Sequence, residues 1–224
     1  MIKNFRLTIA FILMLLVCKN VHAQQTPPFY DEIQQFKRLD SAHFPQKNAI
    51  LFVGSSSIRK WQDVQEYFPD VKVINRGFGG SELSDAIRYA NDIIIPYHPR
   101  QIVIYSGEND LAYSDTITPA IVLRRFETLF TIIRSALPMV PIVYISIKPS
   151  PSRQKLMPEM VEANRLIKNY LQSKKKAVFV DVYHKMLSAN GKPMPDIFVE
   201  DNLHMNAKGY HIWQKAIRPY LLKQ

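Results

Sequence analysis

The chain has 224 residues, a net charge of +10, a hydrophobic fraction of 47% and one cysteine, Cys18. The apolar fraction excludes a disordered or collagen-like chain, and a lone cysteine excludes a disulfide-stapled fold, so stability has to come from a packed core. Basic residues are spread along the chain. Their one cluster, Lys174-Lys175-Lys176, reads as a solvated helix end and, lacking interleaved aromatics, gives no nucleic-acid surface.

The chain begins with Lys3 and Arg6, an apolar run from Leu7 to Val17, and then Val21-His22-Ala23. This is the pattern of a secretory signal peptide cleaved after Ala23, too short for a spanning helix. Its removal takes Cys18 with it and leaves a chain from Gln24 to Gln224, expected to be exported to the periplasm or outside the cell, to form a single domain, and to have no stable membrane insertion. Gln24 to Pro28 reads as an arm, and Phe29, Ile33 and Phe36 recur at helical spacing.

Short runs rich in Val, Ile and aromatics follow: Ile50–Val53, Val71–Ile74, Ile102–Tyr105, Ile142–Ile147 and Val178–Val182. Helical stripes separate or follow them. Leu83, Ile87, Ala90 and Ile94 form one, and Val122, Phe126, Leu129, Ile133 and Leu137 form another, opened by Thr118 with Pro119 in the first turn. Met160, Ala163, Ile167 and Tyr170 form a third, and Tyr210, Trp213, Ile217 and Tyr220 the last. Strands alternating with helices predict an α/β fold with a five-stranded parallel sheet covered on both faces. Right-handed crossovers then bring the C-terminal ends of all strands to one edge, where ligands of such folds bind.

Four segments should meet at that edge: Gly54-Ser55-Ser56-Ser57, Asn75 to Gly80, Ser106-Gly107-Glu108-Asn109-Asp110, and Asp201-Asn202-Leu203-His204. Together they hold the parts of acyl transfer. A serine at a strand-to-helix turn is a nucleophile once a base stands beside it, and His204 can be that base with Asp201 fixing its tautomer. Ser55 and Ser57 read as cap or turn hydroxyls, Gly77 and Gly79 as turn residues needing positive φ, and Asp110 as having a supporting hydrogen-bond role. His43, His98, His184 and His211, with no comparable carboxylate in a strand-edge loop, read as structural or surface residues. Glu200 competes with Asp201 but lacks its three-residue offset. Arg59, Trp61, Phe78 and Tyr113 flank the loops and are candidates for lining a substrate pocket. No His-x-His, His-Glu-x-x-His or cysteine cluster points to a metal, and no cofactor is expected.

These segments resemble the blocks of the SGNH hydrolases, also called GDSL lipases/acylhydrolases. Phe52-Val53-Gly54-Ser55-Ser56 is similar to the first block, with Ser55 where the family usually has Asp, and Asn75 to Gly80 to the second. Gly107-Glu108-Asn109-Asp110 resembles Gly-x-Asn-Asp, and Asp201-Asn202-Leu203-His204 resembles Asp-x-x-His. The resemblance runs from about Ile50 to Trp213. It implies a flavodoxin-like three-layer αβα sandwich, Ser56 as nucleophile with Asp201 and His204, and an oxyanion hole built from Ser56, Gly80 and Asn109.

The expected function is an exported serine esterase that removes a short acyl group, acetyl above all, from an O-acetylated carbohydrate. A lipid-directed acylhydrolase of the lysophospholipase or platelet-activating-factor acetylhydrolase kind is the alternative. A non-catalytic flavodoxin-like or glycan-binding protein is the alternative of another class. The partner is thus an ester substrate, acetylated glycan or lipid, and oligomeric state is left open.

Overall fold

The computed structural model describes residues 26–223. The proposed signal peptide and Cys18 lie outside the described residues. A helix, α1 (Tyr30–Ala42), precedes the first strand, β1 (Ile50–Gly54). Two single-turn helices, α2 (Ser56–Arg59) and α3 (Val64–Tyr67), lead to β2 (Val73–Gly77). Then come α4 (Leu83–Arg88), α5 (Ala90–Ile93), β3 (Gln101–Tyr105), α6 (Glu108–Tyr113) and α7 (Pro119–Ala136). The chain continues through β4 (Ile142–Ile145), α8 (Met157–Gln172), β5 (Ala177–Val180) and α9 (Ala207–Ile217).

The strands form one sheet in the order β2-β1-β3-β4-β5, and every pairing is parallel. This is the expected α/β fold. Successive strand residues alternate between two apolar cores, as the two-residue period of a strand requires. Leu51, Val53, Ile102 and Ile104 face a core shared with α1, α4, α7 and α8, whereas Ile50, Phe52, Val103 and Tyr105 face one shared with α2, α3 and α9. All five residues of β1 and of β3 are buried, which explains why they read as unbroken apolar runs.

The fourth and fifth strands end two residues earlier than predicted, at Ile145 and Val180, and two other elements sit differently. The second strand starts at Val73 and runs on to Gly77, so Asn75, Arg76 and Gly77 are strand residues and not loop. Register with β1, Ile50↔Val73 through Gly54↔Gly77, decides this. An outer strand accommodates the polar residues: Arg76 stacks between Phe36 and Tyr97 and pairs with Asp40. The stripe from Leu83 to Ile94 is two helices, because the chain leaves helical geometry at Tyr89, whose hydroxyl donates to the Pro28 carbonyl at 2.7 Å. The long helix α7 opens as expected, with Thr118 accepting from the Ile121 N–H and Pro119 in the first turn.

β1 is flanked by β2 on one side and β3 on the other, so the chain reverses its direction of travel across the sheet there. Crevices at such switch points lie beyond the carboxyl ends of the strands.

Candidate active site

β1 ends at Gly54, with φ +148°, a backbone conformation that side chains avoid. A Cβ there would lie 1.9 Å from the Tyr105 carbonyl oxygen of β3. The same carbonyl accepts from the Ser55 N–H at 3.1 Å. Only glycine lets the strand make this close turn into α2, and the turn sets Ser56 at the first residue of that helix. The hydroxyl of Ser55 makes no cap bond, although its backbone occupies the cap position.

Helix α2 has one turn and little stability of its own. It is held from β2 and from α9. The Asn75 side-chain amide donates to the carbonyls of Ile58 at 2.8 Å and Trp61 at 3.0 Å. The Tyr210 hydroxyl of α9 donates to the Ser57 carbonyl at 2.9 Å. Trp61 stacks on Tyr210 with ring centroids 4.9 Å apart, a kind of contact worth about 0.5–1.5 kcal/mol beyond its buried area.

Opposite Ser56 stands the turn that precedes α9. His204 Nε2 lies 2.9 Å from Ser56 Oγ, and His204 Nδ1 lies 2.5 Å from Asp201 Oδ2. The second Asp201 oxygen accepts from the backbone N–H groups of Leu203 at 2.9 Å and His204 at 2.8 Å. Burial pulls the Asp201 carboxyl upward, but the hydrogen bonds from the His204 ring and the two backbone N–H groups outweigh it and hold it well below the usual aspartate range. An anionic Asp201 keeps the proton on Nδ1 and leaves Nε2 free to accept from a hydroxyl.

The loops after β2 and β3 meet beside the serine loop. The Asn109 amide donates to the Ser81 carbonyl at 3.1 Å, and the Gly80 α-carbon faces the same amide nitrogen: a Cβ on Gly80 would sit 3.7 Å from it. Asp110 is fully buried and ties the two loops together, accepting from the Leu83 N–H at 3.0 Å and from Arg125 at 2.6 Å. Arg125 also pairs with Glu82 at 2.7 Å. The Asn109 amide bears two hydrogens, and one bond to Ser81 leaves the other to serve a ligand.

Ser56, Asp201 and His204 are therefore brought into one hydrogen-bonded line, and Gly80 and Asn109 adjoin each other. The flanking residues fare less uniformly. Phe78 and Trp61 are fully buried and line no substrate pocket: Phe78 packs edge-on against Phe29 and Tyr89, and Trp61 belongs to the aromatic cluster of α9. Arg59 is half-exposed and pairs with Glu32 at 3.1 Å. Tyr113 is 75% exposed at the end of α6, where it is free to meet a ligand.

Two glycine readings also change. Gly79 has the expected positive φ, but Gly77 does not. Its constraint is space, since a Cβ would meet the Arg59 nitrogen at 2.2 Å. His184 does have a carboxylate at the same offset as His204. Asp181 follows β5, with its Oδ2 2.6 Å from His184 Nδ1. That pair is largely exposed, and among the described residues no hydroxyl bonds its imidazole. Among the described residues no group of three His, Cys, Asp or Glu side chains is placed to hold a metal ion.

The family model described as the GDSL-like lipase/acylhydrolase family matches residues 53–212. The chain belongs to that family. Its members hydrolyse esters, and the match takes in all four loops of the site. No curated protein sequence matches significantly. Solved structures do resemble the chain. One is a Streptococcus pneumoniae protein provisionally described as a platelet activating factor, at 20% identity and TM-score 0.75, covering 95% of this chain and 99% of its own. A GDSL-like lipase from Bacteroides thetaiotaomicron has 18% identity and TM-score 0.70, covering 84% of this chain and 96% of its own. A catalytic mutant of an acetylxylan esterase from Geobacillus stearothermophilus has 15% identity and TM-score 0.61, covering 78% and 94%. At these identities the likeness is one of fold.

Proposed function

We propose that the protein is an exported serine esterase that hydrolyses a short-chain, acetyl-type ester of a carbohydrate. The observation that carries the reading is the line from Asp201 through His204 to Ser56, with hydrogen bonds of 2.5 Å and 2.9 Å. In this reading His204 Nε2 takes the Ser56 proton as Oγ attacks the ester carbonyl. Asp201 stabilises the imidazolium that results. The tetrahedral oxyanion receives hydrogen bonds from the Ser56 N–H, the Gly80 N–H and the Asn109 amide. Collapse breaks the bond to the alcohol oxygen, which leaves with the proton from His204. Water, deprotonated by the same histidine, then attacks the acyl-enzyme and regenerates Ser56.

Nothing in this sequence of steps needs a carboxylate at Ser55. Acetyl-carbohydrate is favoured by the fold likeness to acetylxylan esterase. Export rests on the N-terminal sequence. A lipid-directed reading draws on the Streptococcus pneumoniae neighbour, which has the higher TM-score.

The test is a hydrolysis panel on the chain from Gln24 onward: p-nitrophenyl esters of increasing acyl length, then acetylated xylo-oligosaccharide against a lysophospholipid. Acetyl esters and the acetylated sugar are the expected substrates. Turnover of long acyl chains or lysophospholipid alone would overturn the carbohydrate reading.

A further inference from the structure

Lys148 follows β4 and has no step in the chemistry above, yet its side chain is fully buried. A buried ammonium is costly unless it is both paired and hydrogen-bonded. Here it is both. Nζ donates to the Leu203 carbonyl at 2.8 Å and lies 3.2 Å and 3.1 Å from the two carboxylate oxygens of Glu108. The Phe198 ring covers it at 5.6 Å. Burial pushes the Glu108 carboxyl up, but the charges of Lys148 and Arg153, together with hydrogen bonds from Tyr105 and Lys148, hold it below the ordinary glutamate range, while burial pulls Lys148 down against the pull of Glu108.

Each hydrogen-bond partner of Lys148 is the chain neighbour of a site residue. Leu203 precedes His204, and Glu108 precedes Asn109. The turn that carries His204 also needs support, because Asn202 sits at φ +54°, in the left-handed region that costs a non-glycine residue free energy. The segment after β4 supplies it: Ser152 donates to the Asn202 carbonyl from its N–H at 3.1 Å and from its hydroxyl at 2.9 Å. Both middle carbonyls of the Asp201–His204 turn are thus held by one segment.

We infer that Lys148 is a positioning residue: anchored by Glu108, its ammonium fixes the Leu203 carbonyl, aims the His204 imidazole at Ser56 and ties the base turn to the helix that carries Asn109. The inference rests on the acyl-transfer reading of Ser56 and His204. A purely structural ion pair would make a different prediction, since its loss would lower stability and leave the rate per folded site unchanged.

The experiment compares K148M, E108Q, K148M/E108Q and S56A with the wild type. It measures kcat and KM on p-nitrophenyl acetate, thermal midpoints, and active sites titrated with a serine-directed fluorophosphonate. K148M is expected to lower kcat per titrated site by up to about a hundredfold at nearly constant KM, the scale of a misplaced catalytic group. The double variant removes both charges of the buried pair and leaves only the partly exposed Arg153 without its Glu108 partner, so its thermal midpoint recovers part of the way while kcat stays low. E108Q, close in shape and expected to fold, keeps the donor but loses the anchor and lowers kcat by a smaller factor. Wild-type kcat in the double variant, or wild-type kcat and KM in E108Q should the others not fold, overturns the inference. Undiminished hydrolysis in S56A would instead overturn the underlying reading, whatever Lys148 does.

Discussion

Ser56 Oγ and His204 Nε2 lie 2.9 Å apart although 148 residues separate them in the chain. The hydroxyl therefore has the imidazole proposed as its base already in hydrogen-bond contact, and among the described residues its buried neighbours Ser55 and Ser57 have no such partner. Ser56→Ala is expected to reduce kcat for p-nitrophenyl acetate by about 10⁶-fold, as loss of a triad serine does elsewhere. Ser55→Ala should retain most of the activity. Steady-state kinetics on the two purified variants checks the assignment, and equal loss in both would move the nucleophile's register into question.

Asn109 is expected to act on the rate and little on binding. Asn109→Ala removes one of three proposed oxyanion donors, and such a loss typically costs about 2.7–4 kcal/mol of transition-state stabilisation. A drop in kcat of about 10²–10³ at similar KM is the outcome to look for. A rise in KM at constant kcat would make Asn109 a ground-state contact.

The glycines of the site separate by the space around them. Gly54→Ala puts a Cβ 1.9 Å from the Tyr105 carbonyl at a positive φ. It should destabilise the fold by more than about 4 kcal/mol, in the range reserved for severe lesions. Gly80→Ala meets only ordinary contact, 3.7 Å from the Asn109 amide nitrogen. It should melt near the wild-type temperature while its methyl group crowds the proposed oxyanion position. Thermal unfolding and kcat measured together distinguish the two cases.

Asp201 links folding to pH. Its carboxyl is held below the ordinary aspartate value of 3.8 in the folded chain. A depressed carboxylate contributes stability that is present in full above the unfolded value and disappears as pH falls through the folded one. The gap in thermal midpoint between wild type and Asp201→Asn should therefore stay constant near neutrality and narrow once pH drops below about 4. Widening of that gap in acid would contradict the assignment. At neutral pH the same variant should lose about 10⁴-fold in kcat, because an amide no longer fixes the imidazole tautomer.

The fold was readable in the sequence because its signals are local and periodic. β1 and β3 are buried on both faces and appear as continuous apolar runs, while α7 carries its own cap, its first-turn proline and a regular stripe. Asp201 and His204 were readable for a similar reason, since a three-residue spacing within one turn brings their side chains together. Where a signal depended on neighbours, the reading slipped. The start of β2 is set by its pairing with β1. The break at Tyr89 accompanies a hydroxyl bond to Pro28, and Phe78 and Trp61 look like pocket residues until their aromatic partners are in place.

The exposed Asp181–His184 pair makes the division sharpest. It has the same spacing as Asp201–His204 and a similar Nδ1 contact, 2.6 Å against 2.5 Å. What distinguishes the two is the serine across from the ring, and no local pattern encodes that. By itself the sequence determined which elements form, in what order, and which residue types stand at the strand ends, because these follow from backbone preference and hydrophobic period over a few residues. Tertiary structure alone decided which histidine faces a hydroxyl, how a one-turn helix keeps its serine in place, and that Lys148 is buried between Glu108 and Leu203. Those outcomes depend on parallel register and packing between segments far apart in the chain.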